Sequence, residues 1–116
     1  MARVKLTAEA VEESTYVITL AFANKAGAAV TPDSATWTLT DGAGTVINSR
    51  SAVAIAPLAD SVDVVLSGVD LAMQAGETGY GLRLLTVQAV YSSTEGASLP
   101  LNEEYQFQVR GLVVVS

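Results

Sequence analysis

The chain has 116 residues, half of them apolar and only 6% aromatic, with twelve acidic against six basic side chains, a formal net charge of −6, and no Cys or His. Disulfide staples and thiolate metal sites are excluded, and so are the commonest general base, the usual zinc nitrogen ligand and the Ser-His-Asp triad. The six cations, Arg3, Lys5, Lys25, Arg50, Arg83 and Arg110, are scattered and form no basic stripe for a phosphate backbone, so nucleic acid is not an expected partner.

A chain of this length is expected to fold as one domain, residues 1–116, around one core. Sixteen Val and eleven Thr favour a pleated surface over a helix. Neither a signal peptide nor a bilayer-length apolar stretch is found, so the expectation is a protein made in the cytoplasm, with no membrane partner.

Alternation of apolar and polar residues predicts strands in chain order. Arg3 to Glu9 sets Val4, Leu6 and Ala8 against Lys5, Thr7 and Glu9. The clearest alternation follows, with Tyr16, Ile18, Leu20 and Phe22 on one face and Val17, Thr19 and Ala21 between them. Asn24-Lys25-Ala26-Gly27 and Pro32-Asp33 carry turn chemistry. A third strand places Ala35, Trp37 and Leu39 opposite Thr36, Thr38 and Thr40. Asp41-Gly42-Ala43-Gly44 then turns the chain into a fourth strand over 45–55, so 35–55 reads as a hairpin ended by Pro57.

Residues 61–67 form a fifth strand with Val62, Val64 and Leu66 on one face. Residues 69–75 admit a helical turn, started by Asp70 and closed by Gly76. Leu82 to Tyr91 is a sixth strand in which Leu85, Val87, Ala89 and Tyr91 share a face. Residues 92–100 read as a loop, and Tyr105, Phe107 and Val109 alternate with Gln106, Gln108 and Arg110 in a seventh strand. Trp37, Tyr16, Phe22 and Phe107 are the expected bulky core residues. About seven short strands without intervening amphipathic helices point to an all-β, antiparallel, immunoglobulin-like sandwich, with a small closed barrel as the alternative topology.

Several residues could carry chemistry, and each has a plainer reading. Glu103 and Glu104 are adjacent in a strand and face opposite ways, so they cannot act on one substrate. Asp60, Asp63 and Asp70 could approach one another as calcium ligands, but they fit no EF-hand spacing and equally serve as turn and capping carboxylates. Gly76, Gly79 and Gly81 lack the Gly-Lys-Ser/Thr ending of a phosphate loop. Trp37 is a sugar-stacking platform if it faces out and a core residue if it faces in, and the Thr36, Thr38, Thr40 face is either a solvated strand face or a flat docking surface. No catalytic, cofactor or metal residues are assigned, and the expectation is a protein that is not an enzyme.

The Trp on the third strand and the Tyr-bearing sixth strand look like an immunoglobulin-type core without its disulfide, and Glu77-Thr78-Gly79-Tyr80 is similar to that family's tyrosine corner, though one residue short between Gly and Tyr. The segments 34–41 (SATWTLTD), 46–50 (VINSR) and 99–107 (LPLNEEYQF) resemble small virion structural proteins of tailed bacteriophages and prophages. That resemblance implies a non-enzymatic structural or assembly role in a head, neck or tail, self-association or contact with other virion proteins, and location in a virion assembled in the bacterial cytoplasm. An adhesion or carbohydrate-binding module is the competing expectation.

The run Leu112, Val113, Val114 and Val115, just after Gly111, is the candidate assembly interface. It either completes the seventh strand with both faces covered or leaves the sheet at Gly111 to pair with a neighbouring subunit.

Overall fold

The computed structural model describes residues 3–24, 26–94 and 96–112. The strands are β1 (Arg3–Lys5), β2 (Ala10–Val11), β3 (Thr15–Ala21), β4 (Ser34–Asp41), β5 (Val53–Ala54), β6 (Ser61–Ser67), β7 (Tyr80–Ser93) and β8 (Gly96–Arg110), with a 3-10 turn at Gly68–Leu71. They form two sheets: β8, β7, β4 and β5 in that order with β1 and β2 both on the outer side of β8, and β3 paired with β6 alone. Assigning β3 and β6 to one layer and β4, β7 and β8 to the other reproduces the immunoglobulin division of strands between two sheets. The chain is an all-β sandwich.

The expected periodicity decides which side chains meet. Ile18, Leu20 and Phe22 from the β3 segment, with Val64 and Leu66 from β6, face Trp37 and Leu39 of β4, Leu85 and Val87 of β7, and Phe107 and Val109 of β8. Trp37 is 7% exposed and Phe22 and Phe107 are buried more completely. Tyr16 sits at the margin of this core, half-buried, its ring stacked on Phe107 at 4.8 Å and its hydroxyl donating to the Ala8 carbonyl at 2.7 Å.

Four elements depart from the sequence expectation. The 3–9 strand is broken: Lys5 pairs with Gln106 and Ala10 with Val109, so four residues of one strand oppose two of the other and bulge outward. Both pieces run parallel to β8, which makes this sheet mixed and not wholly antiparallel. The 45–55 strand shrinks to Val53–Ala54, because Asn48, Ser49 and Ala52 take positive φ and coil the segment over β4. The helical turn is shorter than 69–75, and Asp70 binds back to the Ser67 N–H from inside the turn.

The largest difference lies at 92–100. This is no loop: β7 and β8 stay paired up to Ser93 and Gly96, with one irregularity after Tyr91, in a hairpin of 14- and 15-residue strands. Pro100 hid the strand, since proline is compatible with an edge where no N–H is required. The hairpin lies in a molecule measuring 53 × 25 × 24 Å.

Candidate assembly surface

Main-chain hydrogen bonds decide which edge of each strand is available. In β8, Gly111 N–H donates to Gly79 on the β7 side, whereas Leu6 and Glu12 N–H groups donate to Gln106 and Arg110 on the outer side. Even-numbered residues of β8 therefore point outward, and Pro100 is one of them, with no N–H to offer. Ser98 N–H is turned to the Ser92 hydroxyl at 3.4 Å. The opposite edge of this sheet is β5, only two residues long. Short strands, a bulge and a proline are the devices by which edges resist pairing with another chain.

The β3–β6 sheet is built differently. Phe22 N–H donates to Asp60 and Gly68 N–H to Ser14, so the even residues of β6 bond to β3 and the odd residues face away from it. The edge of β3 is answered at its upper end, where the Ala21 N–H meets the Tyr105 hydroxyl, and just below its start, where Ser14 N–H donates to Val11. On β6 the Ser67 N–H is taken by Asp70 at 3.2 Å. The Asp63 and Val65 main chains face outward, and no described residue pairs with them. No proline or lysine lies within β6.

The outer face of this pair is nearly free of charge. Val17 and Val65 lie directly opposite each other and are 50% and 56% exposed, flanked by Thr15, Thr19, Ala21, Ser61 and Ser67. Asp63, the one carboxylate on it, accepts the Thr19 hydroxyl at 2.7 Å. A groove of about 140 Å³ runs beside the open edge, lined by Trp37, Ala54, Ile55 and Val62 to Val65. A larger cleft of about 410 Å³ under the 6–9 bulge has Lys5 and Glu9 as its only charged lining residues.

Three buried polar groups lock other parts of the fold. Asp70, 2% exposed, accepts from Arg50 Nε at 2.7 Å, Asn48 Nδ2 at 2.8 Å and the Ser67 N–H. Burial pushes its carboxyl up, yet the bonds from Arg50, Asn48 and Ser67 outweigh burial and hold it below the ordinary aspartate range. Arg50 also lies 5.9 Å from the Trp37 ring centroid, so the coiled 45–55 segment is clamped between the core and the 3-10 turn.

Arg83, fully buried, donates from both terminal nitrogens to Glu77 at 2.7 Å and also to the Leu82 and Ala72 carbonyls. The Arg83 hydrogen bonds hold the Glu77 carboxyl below its usual range. Gly81 makes room for this pair, since a Cβ there would sit 2.5 Å from a Glu77 oxygen. Glu12, buried as well, accepts the Leu112 N–H at 2.8 Å.

These clusters settle the sequence candidates. Tyr80 is half-exposed, and the corner ahead of β7 is held by Glu77 and Arg83 in place of a tyrosine. The pattern that places Arg83 inward was present in the sequence, because it shares the period-two face of Leu85, Val87 and Ala89. Trp37 faces the core and is no sugar platform. The Thr36, Thr38, Thr40 face is half-covered, with Thr38 accepting the Ala52 N–H, and is not a flat docking surface. Asp60, Asp63 and Asp70 do not converge: Asp70 is buried with Arg50, and Asp63 lies on the exposed face of β6. Among the described residues no group of three acidic side chains could hold a metal ion, and no helix is long and apolar enough to cross a membrane.

Comparison with family models, curated proteins and solved structures finds no match. Of the candidate interface Leu112 to Val115, only Leu112 lies within the described residues, half-buried against the Glu12 carboxylate; Val113, Val114 and Val115 lie outside them.

Proposed function

We propose that this domain is a non-enzymatic structural or assembly component of a phage or prophage virion, located in a head, neck or tail. The observation that supports this reading is the unequal treatment of the two sheets: one has short, bulged or proline-bearing edges, while the other offers the seven continuous residues of β6 beside a face whose one charge is Asp63. In a protein with a net charge of −6, a strip bearing a single carboxylate is where two surfaces meet with little like-charge repulsion. The virion setting rests on the resemblance of residues 34–41, 46–50 and 99–107 to small phage structural proteins, and the partners are further copies of this chain or other virion proteins. The adhesion alternative has lost its platform, because the indole of Trp37 packs inward.

Light scattering after size exclusion across a wide range of protein concentration tests the reading. A mass that rises with concentration toward a defined oligomer supports assembly by self-association. A strict monomer at the highest concentration, together with saturable glycan binding, replaces it with the adhesion reading.

A further inference from the structure

We infer that β6 is a self-complementary docking strand through which two copies of this chain pair antiparallel about a two-fold axis at Val64, joining two β3–β6 sheets into one four-stranded sheet. The inference rests on the assembly reading and specifies its partner and geometry.

The outward-facing main-chain groups of β6 belong to its odd residues, so any added strand must bond to Ser61, Asp63, Val65 and the Ser67 carbonyl. With the axis at Val64, Asp63 of one copy exchanges both main-chain bonds with Val65 of the other. Ser61 N–H then donates to the Ser67 carbonyl across the seam, which leaves the Ser67 N–H to its existing partner, Asp70. Moving the axis to Asp63 would set the two Asp63 side chains directly against each other, which is unfavourable in a cross-strand pair. Moving it to Val65 would oppose Asp63 with Ser67, whose N–H is already used. Of these three axes, the Val64 axis alone both separates the carboxylates and uses the donors of Ser61, Asp63 and Val65.

Charge also points to a second copy. The β3–β6 face bears Asp63 as its one ionisable group, and Thr19 already hydrogen-bonds to it. The remaining acidic residues lie on other strands and loops, so two copies meeting here bury little like charge. On the inner side Val64 meets Val64 of the second copy and Val62 meets its Leu66, extending the apolar floor of the groove that Trp37 and Ile55 line. Antiparallel pairing gives a closed, isologous dimer.

The test uses two substitutions at one exposed position and measures solution mass by light scattering, with circular dichroism as the folding control. Val65→Asp places a carboxylate opposite Asp63 of the second copy at both symmetric sites, and its expected effect is a dimer dissociation constant raised about tenfold or more. Val65→Lys places an ammonium opposite the same Asp63 and is expected to keep or tighten the dimer, with a salt dependence that the unsubstituted chain lacks. Equal weakening by both substitutions, or by neither, overturns the strand and register while leaving assembly through another surface intact. Loss of self-association on removing residues 113–116, with Val65→Asp unaffected, assigns the interface to the C-terminal run instead. If Val65→Asp fails to fold, Val65→Lys alone decides: a folded monomer refutes the pairing, and a folded, salt-sensitive dimer upholds it. An unsubstituted chain that stays monomeric at every concentration removes both this inference and self-assembly.

Discussion

In the larger sheet the outer strands β1, β2 and β5 have two or three residues each and the exposed stretch of β8 carries Pro100, whereas β6 runs without a break for seven residues with Asp63 and Val65 presenting main-chain groups to the outside. The two regions share a core, so hydrophobic packing does not explain the contrast. What separates them is the treatment of backbone polarity: the larger sheet interrupts its outer edges with short strands and a proline, and β6 presents Asp63 and Val65 in one continuous strand. An edge left open beside edges that are closed is better read as a surface with a use than as a general weakness of the fold.

The core shared by the two sheets carries the largest expected effect. Trp37→Ala should destabilise the domain by about 3–5 kcal/mol, the usual cost of emptying a large aromatic site. Chemical denaturation monitored by circular dichroism measures it, and a loss below about 1 kcal/mol would place the indole outside the core.

Asp70→Asn should cost less, about 1–3 kcal/mol, because a buried acceptor of charge-assisted bonds from Arg50 becomes a mismatched amide. The same residue gives a pH signature. Both Asp70 and Glu77 have carboxyls depressed in the folded state, so their contribution is fully present above the ordinary carboxylate range near pH 4 and is lost as pH falls through the lower folded values. Acid titration of stability should therefore show a shallower loss below about pH 4 in Asp70→Asn than in the unsubstituted chain. An unchanged acid limb would mean that Asp70 contributes no linkage.

Pro100→Thr should alter stability by less than about 1 kcal/mol, since the ring faces the outer edge and removes no ladder bond. It should nevertheless create self-association that persists in the Val65→Asp background, because it restores a donor to the edge that proline closes. If the double variant stays monomeric, proline is not what protects that edge. Val17→Thr is the smallest change: on an exposed strand position it should shift stability by no more than about 0.5 kcal/mol, read from the denaturation midpoint.

Much of the fold was legible because alternation is a direct record of a pleated, half-buried strand. Tyr16 to Phe22, Ala35 to Leu39, Val62 to Leu66 and Leu85 to Tyr91 all placed their faces correctly. The β8 extension was not legible, since Pro100 and the Ser- and Gly-containing stretch before it carry turn chemistry that the long hairpin overrides. The break in the 3–9 strand was not legible either, because the bond from the Tyr16 hydroxyl to the Ala8 carbonyl that accompanies it lies outside the local alternation. At the proposed surface the residues were readable but their availability was not. Whether the Val65 main chain is already bonded depends on which strands become neighbours, and that is a property of topology.

The position of β8 has a consequence for how the chain is made. It is the strand on which β1, β2 and β7 all assemble, with Arg3 meeting Glu104 and Ala10 meeting Val109 across nearly the whole sequence. Translation delivers it last among the described strands, so β1 and β2 leave the ribosome first and then have no partner until β8 follows. Such long-range pairing is intrinsically slow. β3 and β6 can pair well before that, which exposes the open β6 edge on the nascent chain while the larger sheet is still incomplete. Newly made chains crowded on one messenger would thus present the open β6 edge to one another before the larger sheet is complete.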